Sequence, residues 1–410
     1  MGLRVIRPAS TAMSRSRLDR WSPLIIPLAI FGLTRAASYV MMTIASRDQM
    51  ALPVGTWPYG QYFVSRGLPA DPGYLGVITN WDGQWYQSIA LDGYQVPLPD
   101  DPEAGQKLQA WAFPPGYPML VRGAMAVTGL PFSVAATVIS MVAGGLAMIL
   151  LYRLLDRRAG AFIAASAVAL LSTFPSAPLL QAAYSESLAL LYLMLSLTLL
   201  ASRRYLWCAL AVSALAMSRL VTPPLALVVA AHFYRRFKSE RRDLSTSDMV
   251  SLGFLFVLCV IGAVAWPVIS SFFIGSQAGL ARTSAPRYLR GWFLGSLSIG
   301  GPALLGAVLL LVLILMIFAM RHTTEGWGLE LRVWSVAYPV YIFSVTSILL
   351  GVLRYFLLAP TFLLVAVMVV AENRWRAAVP ILLCGLGLAS QWWYVSQVLV
   401  VPPPAPGIGP

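Results

Sequence analysis

Apolar residues run along this chain in long segments separated by short polar stretches, with no strand-like alternation. Most of these segments are near the roughly 20 residues that a helix needs to cross the hydrocarbon of a membrane. A further pair, 205–218 and 222–234, is short and is also compatible with a hairpin of broken helices. The pattern predicts an all-α, polytopic membrane bundle of eleven spans, at about 22–45, 131–152, 159–175, 180–201, 205–218, 222–234, 249–273, 301–320, 331–351, 355–371 and 378–397.

The segment 114–130 is apolar enough to resemble another span, but counting it would place the nearby arginines on the outer side. We expect instead a helix lying in the outer interface, with Arg122 on its polar side. The first outer loop is then long and carries amphipathic helices, and a long ordered loop usually has a function. The predicted organisation is a cytoplasmic tail at 1–21, a membrane domain at 22–397 with its first extracytoplasmic loop at 46–130, and a Pro-rich tail at 398–410 that is expected to be disordered around Pro402–Pro406.

The composition agrees with a membrane protein, because 58% of residues are hydrophobic and only 11% are charged. The net charge of +13 could suggest nucleic acid, but the basic residues fall in short clusters between the apolar segments. With the N-terminus in the cytoplasm, 19 of the 29 basic residues lie on the inner side, as the positive-inside rule requires. The first segment carries Arg35 and no convincing cleavage site, so it is expected to be a retained span.

The cysteines and histidines give no sign of a metal site. Cys208, Cys259 and Cys384 lie inside apolar segments, where cysteine usually acts as a small packing residue. His232 and His322 are isolated near predicted cytoplasmic boundaries. We therefore expect neither a metal nor a cofactor.

Unusual polar residues gather on the predicted outer side, although acids are scarce in this chain, with 16 in 410 residues. One reaction suits this set, the transfer of a group from a lipid phosphate to a hydroxyl. A carboxylate can take the proton of the hydroxyl, and arginines can bind the departing phosphate through forked hydrogen bonds. The residues concerned are Asp82, Asp92, Tyr184, Glu186, Arg219, Arg287, Tyr288, Arg290, Arg354 and Tyr355.

Each of these residues also has a structural interpretation. Asp82 could cap the helix that begins near Gly83, and Asp92 precedes a glycine in an ordinary turn pattern. Glu186 could pair with an arginine, while Arg219 and Arg354 could extend towards lipid headgroups. The residues alone leave these alternatives open.

Three ordered motifs in the first 190 residues resemble a known family. They are Trp81-Asp82-Gly83 through Ile89-Ala90 and Gly93-Tyr94, then Phe113–Pro118, then Tyr184–Ser187, with a weaker match at Met217–Arg219. Together with an acid in the first outer loop of a many-helix chain, they resemble the GT-C glycosyltransferases. Within these, the chain is similar to the PIG-V group, the transferases of the second mannose of GPI anchors, and its bacterial relatives.

The resemblance implies an inverting transferase that uses a polyprenyl-phosphate sugar, usually mannose, with Asp82 as the general base. The acceptor would be a lipid-linked glycan on the extracytoplasmic side, and the partners would be membrane lipids without nucleic acid. Arg219, Arg354, Arg287 and Arg290 are then the candidates for holding the donor phosphate. Candidates for substrate binding or support are Trp81, Gln84, Trp85, Tyr86, Asp92, Tyr117, Tyr184, Glu186, Tyr288 and Tyr355.

Three other functions compete with this interpretation. An arabinofuranosyltransferase would use a polyprenyl-phosphate pentose in the same way. A lipid-phosphate flippase or transporter would also need arginines in the bundle, but transporters usually show paired halves, which this sequence lacks. A non-catalytic subunit of a larger complex would not require Asp82.

Overall fold

The chain folds as a bundle of α-helices, as the sequence predicts. The computed structural model describes residues 17–55, 65–239, 241–275, 288–320, 322–346, 350–362, 364 and 377–403. Within these residues the only extended pairing is an isolated antiparallel bridge between Leu52 and Leu68. The helices are α1 (Arg17–Ala45), α2 (Gly73–Val77), α3 (Asp82–Asp92), α4 (Ala104–Ala110), α5 (Gly116–Thr128), α6 (Phe132–Ala159), α7 (Ala161–Ser172), α8 (Glu186–Ala201), α9 (Tyr205–Ser218), α10 (Pro223–Ser239), α11 (Thr246–Ile274), α12 (Tyr288–Met320), α13 (Leu329–Val345) and α14 (Ala378–Tyr394).

Several helices present apolar surfaces outwards, as a membrane protein requires. Leu33 on α1, Phe272 on α11 and Ile381 on α14 are each more than 70% exposed, with other large apolar side chains around them. Surfaces of this kind on a folded chain need lipid or a partner to cover them. Four helical segments in the described part of the chain are long and apolar enough to cross a membrane: Trp21–Asp48, Phe132–Ala159, Thr246–Ile274 and Ala378–Leu399.

Ten of the eleven predicted spans coincide with a helix, and the pair 205–218 and 222–234 forms two continuous helices, α9 and α10. In the span predicted at 355–371, residues 355–358 belong to a 3-10 helix, Leu350–Leu358, and Leu364 is α-helical, so this span stays a prediction. Residues 365–376 lie outside the described residues. How many of the helices cross the membrane stays a prediction.

The described part of the first loop, 46–55 and 65–130, contains four short helices, α2 to α5, as expected from its amphipathic segments. The longest of them, α5, has 13 residues and is therefore about 20 Å long at 1.5 Å per residue. This length is less than the roughly 30 Å of a hydrocarbon core, so α5 is too short to cross it. Its placement in the outer interface remains a prediction.

The helices form a continuous core in which neighbours along the chain pack against each other. Helix α6 packs on α1, α7 and α8, while α9 lies between α8 and α11, and α13 packs on α10 and α12. Because α8 and α9 are antiparallel, Glu186 at the start of α8 lies beside Arg219, which follows the end of α9. The other ends of these two helices meet at residues 201–205. The bundle therefore has a Glu186 end and an opposite end.

A chain of buried and partly buried polar side chains links four helices at the opposite end. His232 Nδ1 is 2.7 Å from a carboxylate oxygen of Glu330, and its Nε2 is 3.3 Å from the hydroxyl of Tyr205. Arg236 donates to the same hydroxyl at 2.8 Å and to Asp248 at 3.0 Å. Since helices α9, α10, α11 and α13 each supply a member, this network fixes how their ends meet.

We expect Glu330→Ala to destabilise the protein strongly, because the carboxylate is almost fully buried and faces both His232 and Arg235. Removing one partner of a buried charged pair typically costs about 3–5 kcal/mol. The measurement is the unfolding temperature of the purified protein. Glu103→Ala is the matched control, since Glu103 is exposed and lies 3.7 Å from Lys107. Equal unfolding temperatures for the two variants would contradict the structural role of Glu330.

The C-terminal boundary predicted at 398 needs correction. Val400 and Val401 are 1% exposed, and the carbonyl of Val401 accepts a hydrogen bond from the Met50 amide at 3.0 Å. These residues therefore pack on the first loop, and the packed part of the chain extends at least to 401. Pro404 to Pro406 lie outside the described residues.

Candidate functional site

The turn before α3 sets the position of Asp82. Trp81 has a φ of 53°, a left-handed conformation that is rare for a large aromatic residue and is usually found where the surroundings impose it. Its indole nitrogen donates to the carbonyls of Val398 and Leu399 at 2.8 and 3.0 Å. The C-terminal segment therefore holds Trp81, and with it the turn before α3, in place. The helix-capping interpretation of Asp82 was wrong, because Asp82 is the first helical residue and no side chain caps α3.

The segment before Asp82 is joined to the segment before α8 by backbone contacts. The amide of Ala183 donates to the carbonyl of Ile78 at 3.1 Å, and the hydroxyl of Tyr184 donates to the carbonyl of Asn80 at 2.8 Å. Gly83 allows this close approach, since a Cβ there would lie 3.0 Å from the Ile78 carbonyl oxygen. These contacts explain why the first and third motifs meet although about 100 residues separate them.

The second motif positions the end of α9 in the same way. A Cβ on Gly116 would lie 2.7 Å from the Met217 carbonyl oxygen and 2.8 Å from the Ser218 hydroxyl, so only glycine fits here without displacement. Helix α5 thus begins directly against the residues that precede Arg219. All three motifs therefore contribute to one region at the Glu186 end of the bundle.

Two acids and two arginines form an ionic cluster in this region. A terminal nitrogen of Arg354 contacts the carboxylate of Asp82, and a terminal nitrogen of Arg219 lies 2.8 Å from a carboxylate oxygen of Glu186. The Nε of Arg354 is 3.8 Å from the same Glu186 oxygen, so Glu186 links the two guanidinium groups. The side chains of Asp82 and Arg354 are 24% and 20% exposed, whereas Glu186 is 1% exposed. The cluster therefore has a buried acid and an accessible acid–arginine pair.

The ring of Tyr355 lies close to both arginines. The guanidinium carbons of Arg219 and Arg354 are 5.1 and 5.3 Å from the centre of its ring, within the range of cation–π attraction. The hydroxyl of Tyr338 on α13 donates to the carbonyl of Tyr355 at 2.9 Å and holds this segment in place. The ring thus keeps two like-charged groups close together.

Ser185 connects the cluster to α3. Its hydroxyl accepts from Tyr86 at 2.8 Å and from Arg219 at 3.3 Å. Burial, followed by the negative charges of Glu186 and Asp82, raises the pKa of Tyr86 well above its usual value. Tyr86 therefore stays protonated at neutral pH and acts as a fixed donor beneath the cluster.

Several predicted site residues lie away from this cluster. Asp92 pairs with Arg66 at the far end of α3, about 15 Å along the helix from Asp82. Gln84 accepts from the Ser65 amide at 2.7 Å, and Trp85 stacks on Phe113. Tyr117 forms a hydrogen bond with Ser140 at 3.0 Å. These residues contribute to packing and do not belong to the cluster.

The arginines predicted after the seventh span cannot be placed. Arg287 lies outside the described residues. Tyr288 and Arg290 stand at the start of α12, but their side chains are also outside the described part. Their assignment to the donor phosphate therefore stays a prediction.

Two residues in the region were missed by the sequence reasoning. Asn80 is 3% exposed and donates to Gln49 at 2.7 Å and to the Leu399 carbonyl at 2.9 Å. Ser185 was included in a motif but not named as a member of the site. In the sequence, Asn80 could have been noticed as a polar residue immediately before Trp81 in a segment that is otherwise apolar.

A cavity of about 380 Å³ lies beside α3, but it is separate from the cluster. Asn80, Trp81, Gln84 and Gln87 line it, and Asp82 does not. Gln84 and Gln87 project from the side of α3 roughly opposite Asp82, since successive helical residues turn by about 100°. The candidate reactive groups therefore lie in the ionic cluster and not in this cavity.

The described residues contain no group of three or more His, Cys, Asp or Glu side chains that could hold a metal ion. In the cluster itself, both acids already face guanidinium groups. The cluster therefore offers one accessible carboxylate, which can accept a proton, beside two cations, which can bind an anion.

No protein-family model matches the chain, and no curated protein matches it. Among solved structures, an oligosaccharyltransferase from Archaeoglobus fulgidus is similar at 14% identity and a TM-score of 0.45, over 90% of this chain and 53% of that one. ArnT from Cupriavidus metallidurans bound to undecaprenyl phosphate is similar at 17% identity and a TM-score of 0.44, over 83% of this chain and 60% of that one.

The same ArnT in its apo state is similar at 16% identity and a TM-score of 0.44, over 90% of this chain and 75% of that one. The chain spans about half the length of the archaeal structure. With TM-scores below 0.5, these similarities assign neither a fold nor an activity to the chain. Its own fold and site define an all-helical membrane protein with an acid–arginine cluster at one end of the bundle.

Proposed function

We infer that this chain is an inverting GT-C glycosyltransferase of the PIG-V-like type, which uses a polyprenyl-phosphate sugar as donor. The observation that carries the inference is the meeting of Asp82 with Arg354, 272 residues away, beside the Glu186–Arg219 pair. A general base and two phosphate-binding cations are what such a transfer requires. The motifs that resemble the family are the segments that build this cluster.

The reaction exchanges one carbon–oxygen bond for another. A lone pair of the acceptor hydroxyl forms a bond to the anomeric carbon, while the bond from that carbon to the phosphate oxygen breaks. The departing electron pair stays on the oxygen and yields the polyprenyl phosphate. Asp82 takes the hydroxyl proton, and attack from the face opposite the phosphate inverts the anomeric configuration.

Arg219 and Arg354 are assigned to the donor phosphate. Guanidinium groups bind phosphate oxygens through paired hydrogen bonds and remain charged at every accessible pH. The Nε of Arg354 is buried and makes no hydrogen bond with the described residues, although it lies 3.8 Å from Glu186. Negative charge develops on the leaving oxygen during the reaction, and cations beside it stabilise the transition state.

Excess chelator should leave turnover unchanged. The acids at the cluster are Asp82 and Glu186, and the adjacent Arg219 and Arg354 would repel a divalent cation placed between them. The measurement is the initial rate of transfer with and without chelator in enzyme purified without added metal. A loss of activity that one metal restores would show that the acids bind a cation instead.

The cluster is proposed to face the extracytoplasmic side. The opposite end carries Arg203, Arg235 and Arg236, whose positive charge is typical of cytoplasmic boundaries. Single cysteines provide the test, in a chain without the three native ones. Cysteine at Leu98 should react with an impermeant thiol reagent in intact cells, and cysteine at Ser239 only after permeabilisation. The reverse pattern would place Asp82 in the cytoplasm, where nucleotide sugars are the expected donors.

Mannose is proposed as the sugar, and a lipid-linked glycan as the acceptor, on the strength of the family resemblance. The experiment is mass spectrometry of the lipid glycans from a strain lacking this protein, with and without the restored gene. A glycolipid that loses one hexose on deletion and regains it on complementation supports the proposal. A loss of pentose would favour the arabinosyl donor, and unchanged glycolipids would contradict a transferase role.

A further inference from the structure

The two roles assigned to the Asp82–Arg354 pair compete with each other. Arg354 contacts the carboxylate of Asp82, the group that must accept a proton. The same guanidinium is assigned to the donor phosphate. A guanidinium fork turned fully towards one anion has fewer donors for the other, and its charge is shared between them.

The ion pair also engages the carboxylate of Asp82 directly. The contact takes up Oδ2, one of the two oxygens that an acceptor hydroxyl could approach. In this arrangement Asp82 is in the site but is paired with Arg354.

We propose that the donor phosphate draws Arg354 away from Asp82 and thereby releases the base, so that the carboxylate becomes available only when a donor is bound. This inference rests on the proposed function and adds a coupling between donor binding and base availability. The donor would bind before productive attack by the acceptor.

The surroundings of Arg354 allow such a change of partner. The buried Glu186 lies 3.8 Å from the Arg354 Nε, and the ring of Tyr355 lies against the guanidinium. These two contacts retain the side chain near the cluster while its terminal nitrogens turn from a carboxylate to a phosphate. Arg219 stays with Glu186 and Ser185, so one cation of the phosphate site is already in place.

The movement of charge during the reaction favours the same change. The four side chains carry two positive and two negative charges, so the cluster is neutral as a whole. During transfer Asp82 loses its negative charge by taking the proton, while the leaving phosphate gains one. The best partner of Arg354 therefore shifts from the carboxylate to the phosphate as the bond breaks.

The test is the affinity of purified protein for undecaprenyl phosphate, a lipid monophosphate without sugar. If Asp82 competes for Arg354, then Asp82→Asn should bind this lipid more tightly than the wild type. Even an exposed ion pair can be worth about fivefold in an equilibrium, and this pair is three-quarters buried. We expect a gain of about fivefold or more.

Two further variants isolate the contact. In the Arg354→Gln background, Asp82→Asn should bring no gain, because the competing partner is already absent. Asp92→Asn is the matched control, since it makes the same chemical change on the same helix but pairs with Arg66. Asp82→Ser provides a second variant that removes the charge if the asparagine protein is unstable.

The outcomes separate this inference from the proposed function. Tighter binding by Asp82→Asn alone, lost in the Arg354→Gln background, supports the exchange of partners. If the wild type binds the lipid and Asp82→Asn binds it equally well or more weakly, the exchange of partners is wrong. The transferase proposal is then unaffected. Absence of binding by the wild type overturns both.

Discussion

Asp82→Asn is expected to reduce turnover by about 100- to 10,000-fold, the usual contribution of a general base. The substitution keeps the size of the side chain and removes the oxygen that accepts the proton. Folding should be preserved, because Asp82 caps no helix and its side chain is partly exposed. The measurement is the transfer rate at saturating donor and acceptor, with elution volume and unfolding temperature as checks of folding.

Asp92→Asn is the matched control for this experiment. It lies at the other end of α3, is exposed, and pairs with Arg66 outside the cluster. We expect turnover within about twofold of the wild type, since exposed ion pairs contribute little. A retained tenth of wild-type turnover in Asp82→Asn, or an equal loss in both variants, would show that Asp82 is not the base.

Arg219→Ala and Arg354→Ala should each lower kcat/KM for the donor by about 10- to 100-fold. A hydrogen bond to a charged group is worth roughly 1.5–3 kcal/mol, and every 1.4 kcal/mol is about tenfold. Lysine at either position should restore part of the loss, since it keeps the charge without the planar fork. The measurement is donor-dependent kinetics at saturating acceptor.

Arg66→Ala serves as the control for the loss of a positive charge, since Arg66 pairs with Asp92 and lies outside the cluster. Normal donor kinetics with a raised KM for the acceptor in both cluster variants would contradict the phosphate assignment. The two arginines would then bind the acceptor headgroup, and an anionic phospholipid glycoside would explain their charge.

The sequence placed the four members of the cluster on one side of the membrane domain, because hydropathy and charge indicate at which end of a span a residue lies. They could not indicate which acid meets which arginine. That pairing depends on contacts between distant segments, such as the Tyr184–Asn80 bond and the close approach at Gly83. The local sequence pattern does not indicate those contacts.

Other departures have local causes. The sequence predicted a Pro-rich tail from residue 398, but the carbonyls of Val398 and Leu399 accept hydrogen bonds from Trp81, which holds this segment against the first loop. Hydropathy also predicted a regular span from about 355, where residues 355–358 belong to a 3-10 helix. The apolar side chains of this segment are compatible with an α-helix and with a 3-10 helix, so composition alone does not distinguish the two.

We propose that this chain moves a sugar from a polyprenyl phosphate to a lipid acceptor. The most direct measurement uses purified protein in lipid nanodiscs, labelled polyprenyl-phosphate mannose and a lipid extract from the source cells. We expect labelled glycolipid with an inverted anomeric centre, and one polyprenyl phosphate released for each sugar transferred. Absence of transfer from polyprenyl-phosphate mannose and from the corresponding pentose donor, or transfer from a nucleotide sugar instead, would contradict it.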